Sequence, residues 1–140
     1  MQSNEKKNIV FARFFPGEDV NKKLIELCKK HDINSGVILS GIGQFEKVEL
    51  GYFKCKGDYS REIFEKPLEV LSLSGNICKN GDEHILHIHA VLSDDKKNAF
   101  GGHFINAVVS ITGEIVIQKT NILFKRELDE KTGLKNIVFK

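Results

Sequence analysis

The sequence predicts an α+β domain: a twisted, mostly antiparallel β-sheet with one principal α-helix. Three observations carry that reading. Most of the chain is short apolar, β-branched runs separated by glycine and Asn/Asp turn signals. Only one stretch, after Pro16-Gly17, has helical periodicity, with Val20, Leu24, Leu27 and Cys28 on one stripe. No repeat, linker or low-complexity tract divides the 140 residues, so one domain is expected over residues 1–140.

Taken in order, residues 1–7 are polar and read as a loose tail. Asn8–Phe15 reads as the first strand, with Arg13 on the face of Phe11 and Phe15. Pro16-Gly17 breaks it. Glu18-Asp19 opens the helix where its dipole favours acidic groups, and Lys29-Lys30-His31 suit its C-terminal end. Ser35–Ser40 is a short strand that Gly41-Ile42-Gly43 is expected to end. Phe45–Lys54 and Arg61–Glu65 flank a turn at Lys56-Gly57-Asp58. Leu68–Ile77 is a further strand, with Gly75 as a candidate bulge. Asn80-Gly81-Asp82 signals a hairpin, and Asp94–Asn98 an exposed turn. Phe104–Gln118 suits one or two strands, and Asn121–Leu128 reads as the last. Residues Asp129–Lys140 read as a tail with one turn at Thr132-Gly133, loose from about 135 to 140.

The chemistry concentrates in His84-Ile85-Leu86-His87-Ile88-His89-Ala90-Val91-Leu92 and Gly101-Gly102-His103. Side chains alternate along a strand. Leu86, Ile88, Ala90 and Leu92 therefore share a core face, and Ile85, His87, His89 and Val91 the other. Two imidazoles on one face stand about 7 Å apart along the strand and can converge on one point. Gly101-Gly102 would make a tight turn and fold His103 back over the strand as a third ligand. Three neutral imidazoles with an open position suit zinc, or another divalent transition metal. The competing reading makes the histidines polar residues on a solvated face. His84 is out of phase and caps the strand entrance. His31 reads as a helix C-terminal residue.

Composition narrows the functions. The net charge of +2, from 21 basic and 19 acidic residues, gives no push towards nucleic acid or membrane. No apolar run is long enough to span a bilayer and no leader pattern opens the chain, so a cytoplasmic protein is expected. Cys28, Cys55 and Cys78 are widely spaced and read as reduced thiols. Ten phenylalanines and no tryptophan make phenylalanine the main aromatic of the core.

The landmarks Pro16-Gly17-Glu18-Asp19, Ser40-Gly41-Ile42-Gly43, Leu71-Ser72-Leu73-Ser74-Gly75, His87-Ile88-His89, Gly101-Gly102-His103 and Asp129-Glu130-Lys131-Thr132-Gly133-Leu134 occur in this order. Together they resemble the PPC (plants and prokaryotes conserved) domain, from about Val10 to Val138. The resemblance implies the α+β fold above and a homotrimer. It also implies a metal held by His87, His89 and His103, and so favours the metal reading. An open position on that metal would serve a small polar molecule. The fold it implies resembles that of α-acetolactate decarboxylase, whose metal is also held by three histidines. Plant members carry an AT-hook. Here no Arg-Gly-Arg-Pro core exists, and proline occurs only at positions 16 and 67. DNA binding is therefore the alternative function, resting on fold analogy rather than on a site. The sequence fixes no catalytic acid or base: Glu83, Glu114 and Arg13 are candidates that nothing places beside the metal. Whether the protein is an enzyme stays open at this level.

Overall fold

The computed structural model describes residues 1–139; Lys140, the last residue of the expected tail, lies outside them. Its elements are β1 (Gln2–Lys6), β2 (Ile9–Phe14), α1 (Val20–Lys30), β3 (Ser35–Cys55), β4 (Asp58–Phe64), β5 (Leu68–Asn80), β6 (Glu83–Ser93), β7 (Ala99–Lys119), β8 (Phe124–Leu128) and β9 (Lys135–Phe139). Every pairing between these strands is antiparallel. The α+β expectation holds, with one helix on an antiparallel sheet.

Seven strands lie in the order β1-β2-β7-β6-β5-β3-β4, and β3 also pairs with β7. The pairings β7–β6, β6–β5, β5–β3 and β3–β7 therefore close a ring. Such curling needs a bent strand, and bulges supply bends. The β3–β7 register shifts repeatedly between Ile38 and Leu50. Gly43 sits in this stretch at φ +137, and a Cβ there would lie 1.9 Å from the Thr112 carbonyl oxygen. Gly41-Ile42-Gly43 thus bends one continuous strand instead of ending it. The core inside the curl contains Phe14, Phe45, Leu73, Ile77, Ile88, Leu92, Ile115 and Ile117.

Helix α1 lays its apolar stripe on this sheet: Val20, Leu24, Leu27 and Cys28 are all fully buried. Asp19 is the N-cap and accepts from the Lys22 backbone N–H, satisfying one of the unpaired donors of the first turn. The Asn106 amide donates to the other Asp19 oxygen at 2.9 Å, so the cap also ties the helix to β7. His31 is the C-cap, as expected of a helix-end residue, and contacts Ser3 and Glu5 of β1.

The two termini depart from the expected tails. Residues 2–6 form β1, held by β2 through pairs such as Glu5 with Val10. Residues 135–139 form β9, which pairs with β8 in a separate two-stranded sheet. Asp129 closes the turn of that hairpin: its carboxylate accepts from the Lys131 N–H and the Thr132 hydroxyl. Polar composition alone suggested loose ends, but pairing with neighbouring strands satisfies these backbones.

Candidate metal centre

Strand β6 begins after the hairpin turn at Gly81, where φ is +64. Its core face is as the alternation predicts: Ile88, Ala90 and Leu92 are buried and Leu86 packs against the core. His87 and His89 therefore share the opposite face. His103 joins them by a different route from the expected turn. Gly101 and Gly102 lie within β7, and His103 stands directly opposite His89 in the β6–β7 ladder, with Gly101 opposite Val91. Directly opposed residues of an antiparallel pair point to one face, so strand register delivers the third imidazole.

The glycines are needed for close approach, not for turning. A Cβ on Gly101 would lie 2.2 Å from the Ala90 carbonyl oxygen on β6, and one on Gly102 3.0 Å from the Gly51 carbonyl oxygen on β3. Gly75 likewise is no bulge. It pairs regularly with Ile88, and a Cβ there would lie 2.1 Å from the His87 carbonyl oxygen. The β5–β6 bulge falls between Val70 and Ser72 instead.

The ring centroids of His87 and His89, His87 and His103, and His89 and His103 are 5.2, 5.2 and 5.4 Å apart. One nitrogen from each ring lies within 4.8 Å of the other two. Tetrahedral zinc with bonds of about 2.0–2.1 Å places its ligand nitrogens about 3.4 Å apart. Small side-chain rotations close that difference. Metal ligation requires neutral imidazole. Burial, with the charges of Arg126 and the other two histidines, pushes His87 down to about 4. Burial is also the main cause that lowers His103, helped by His89 and Arg126. The donor set fits a divalent transition metal, with His87 and His103 held towards the neutral form.

The histidines line a pocket of about 730 Å³. Its walls include Tyr52, Tyr59, Leu86, Leu134 and Arg126. Tyr59 meets His103 edge-on at 6.3 Å between ring centroids. Its hydroxyl lies over Gly51, where a Cβ would come within 2.0 Å of it. Burial is the largest effect on this phenol and holds it above its ordinary value, with Arg61 opposing and Glu49 adding.

Glu83, Glu114 and Arg13 do not line this pocket. Glu83 and Glu114 are exposed, and Arg13 pairs across the ladder with Glu114 at the far end of β7. His84 points away from the cluster, and its Nε2 lies 3.1 Å from the Ile33 carbonyl oxygen.

Arg126 is the site residue that sequence reasoning missed. It lies on β8, is only 7% exposed, and reaches over β5 and β6. Its Nη1 donates to the Lys135 carbonyl at 2.8 Å, and its Nη2 to Asn76 Oδ1 at 2.8 Å and His87 Nδ1 at 2.9 Å. The one available signal was its alternation with Phe124, also buried, which puts a charged side chain on an inward face.

Comparison with known proteins agrees with this architecture. A solved structure from Bacteroides thetaiotaomicron, described as a candidate DNA-binding protein, superposes with TM-score 0.92 at 26% identity, covering 99% of this chain and 96% of that one. A metal-containing protein from Archaeoglobus fulgidus superposes with TM-score 0.84 at 29% identity, over 96% of this chain and 95% of that one. Among curated proteins, the bifunctional protein GlmU of a Synechococcus strain is 30% identical over 123 residues, which are 86% of this chain and 18% of that protein. The chain thus spans less than a fifth of the curated relative it matches. The family model for the plants and prokaryotes conserved domain matches residues 1–121. The β8–β9 hairpin that brings Arg126 lies beyond that match. The chain belongs to the plants and prokaryotes conserved (PCC) domain family.

Proposed function

We propose that this protein binds a divalent transition metal, zinc first, through His87, His89 and His103, and presents it to a small molecule in the adjoining pocket. The observation that carries the reading is the convergence of three imidazoles at a pocket wall, each able to offer one nitrogen to a common point. The metal-containing neighbour from Archaeoglobus supports it. Three protein ligands leave a position open. When bound, such a metal supplies a Lewis acid that polarises a carbonyl oxygen or acidifies water. Around it, Tyr59, which meets His103 edge-on, is a protonatable side chain placed to hold or deliver a proton, and Leu86 and Leu134 give the pocket apolar wall. No carboxylate lines the pocket among the described residues. Metal analysis of protein purified without a histidine tag tests the reading. About one equivalent of metal per chain is expected, falling to none in His89→Ala with the fold retained. Metal-free wild-type protein that also fails to take up added zinc would end it.

We also propose a homotrimer. Leu39 and Ile42 on β3, Leu71 on β5 and Ile111 on β7 are each about half exposed or more. One helix covers one face of the sheet and leaves such residues to a partner surface. Light scattering at micromolar concentration is expected to give three times the chain mass, and a monomer would refute it. DNA binding rests on the description of the Bacteroides neighbour. No described helix is long and apolar enough to cross a membrane.

A further inference from the structure

Arg126 is a buried guanidinium without a carboxylate partner among the described residues. Its hydrogen bonds go to an amide oxygen, a backbone carbonyl and an imidazole, all neutral. Among the described residues, the acidic group acting on it is the Cys78 thiol. Its Nε is buried and has no hydrogen-bond partner. Burying an uncompensated charge is costly, and an unmet buried donor adds to that. The side chain nevertheless borders the pocket, next to the three histidines.

Its contact with His87 creates a conflict. Arginine can only donate, so His87 Nδ1 accepts, and Nε2 of the neutral ring carries the proton. A neutral imidazole has one lone pair. A metal taken at Nδ1 displaces the guanidinium. A metal taken at Nε2 moves the proton to Nδ1, which then faces Arg126 donor to donor. Either way the Nη2–H must leave His87. Nη2 and the orphaned Nε lie on one edge of the guanidinium, the planar fork that matches a carboxylate.

We propose that Arg126 is the anion-binding residue of this pocket, that it recognises a small organic acid through its carboxylate, and that metal and carboxylate bind cooperatively because both draw on the Arg126–His87 hydrogen bond. The inference rests on the metal reading above and names the ligand class of that site. The buried guanidinium suits one negative charge, exposed Lys135 adds a second cation at the pocket's edge, and the leucine walls suit an apolar body behind it. Reciprocity follows: the carboxylate must tighten metal binding by the same factor as metal tightens the carboxylate.

The test uses benzoate, with benzyl alcohol as its uncharged counterpart, titrated into the full chain with and without zinc and followed by ligand-observed NMR. Zinc-loaded wild type is expected to bind benzoate at least tenfold more tightly than benzyl alcohol, and at least tenfold more tightly than apoprotein binds benzoate. Arg126→Gln, shown by chelator competition to take up zinc, should lose the preference for benzoate. Equal binding of the two probes by wild type, which needs no variant to fold, overturns the proposal. So does full benzoate affinity in zinc-loaded Arg126→Gln, which would put the carboxylate on the metal alone. Failure of wild type to take up zinc ends the metal reading separately. The anion site is then decided by whether apoprotein prefers benzoate and Arg126→Gln does not.

Discussion

Gly101→Ala should separate the third histidine from the other two. The new Cβ would sit 2.2 Å from the Ala90 carbonyl oxygen, 3.2 Å from the Ala90 carbonyl carbon and 3.3 Å from Val91 Cα, all backbone of β6. No side-chain rotation relieves a clash with backbone, so β6 and β7 must part by about 1 Å to restore ordinary contact. Overpacking of this kind costs about 1–3 kcal/mol. Ladder hydrogen bonds near His89 and His103 add about 1 kcal/mol for each one lost. For a chain of this size, about 2–4 kcal/mol corresponds to a fall in Tm of about 6–16 °C. His103 is two residues along from the clash, and metal–ligand distances tolerate only about 0.2 Å. Zinc affinity should therefore fall at least tenfold even where the protein stays folded. Gly102→Ala is the internal comparison. Its Cβ meets Gly51 O at 3.0 Å, a contact relieved by a few tenths of an ångström, so a smaller loss is expected. Calorimetric melting and zinc titration by chelator competition measure both effects. Wild-type zinc affinity in a folded Gly101→Ala protein would refute the close-approach argument.

The metal-free protein should lose stability as pH falls from about 6.5 towards 4. His87 is held down to about 4 in the folded state, against about 6.5 when unfolded, and His103 is lowered in the same direction. Between those values the unfolded chain binds protons that the native one refuses, so acidification favours unfolding. Denaturant midpoints measured at pH 7 and pH 5 should show the loss, and His87→Gln should lessen it; an unchanged slope in that variant would count against this origin. Saturating zinc should stabilise the wild type, by about 2.7 kcal/mol at a hundred times its Kd, and leave His89→Ala unaffected in the same melting assay. In competition binding near physiological salt, an AT-rich duplex should show no hundredfold preference over a mixed-sequence duplex. The described arginines sit singly on β2, β4 and β8, and an isolated arginine on a strand does not enter a minor groove as a basic arm does. A preference of that size would rank DNA recognition above the metal site.

The sequence by itself determined what depends on neighbours along the chain. Period-two alternation put His87 and His89 on one face and Ile88, Ala90 and Leu92 in the core. The 3.6-residue period placed Val20, Leu24, Leu27 and Cys28 on the buried stripe of α1. Asn80-Gly81-Asp82 marked its hairpin because only a few residue types accept the backbone angles of a tight turn. Tertiary structure decided what depends on which strand lies beside which. His103 reaches the site because β7 pairs with β6 in the register that opposes it to His89, and no local pattern encodes a register. Gly41–Gly43 resembles a strand end, yet β3 continues through it because β7 pairs with all three residues while β5 pairs with β3 up to Ile38 and again from Gly43. The terminal residues resemble loose tails until β2 and β8 give them partners. Arg126 is 39 residues from His87 in the chain, and its meaning lies wholly in that contact. A charged residue on a short strand reads as solvent-facing until the fold closes over it, and only then do its unmet Nε and its lack of a carboxylate partner among the described residues acquire chemical sense.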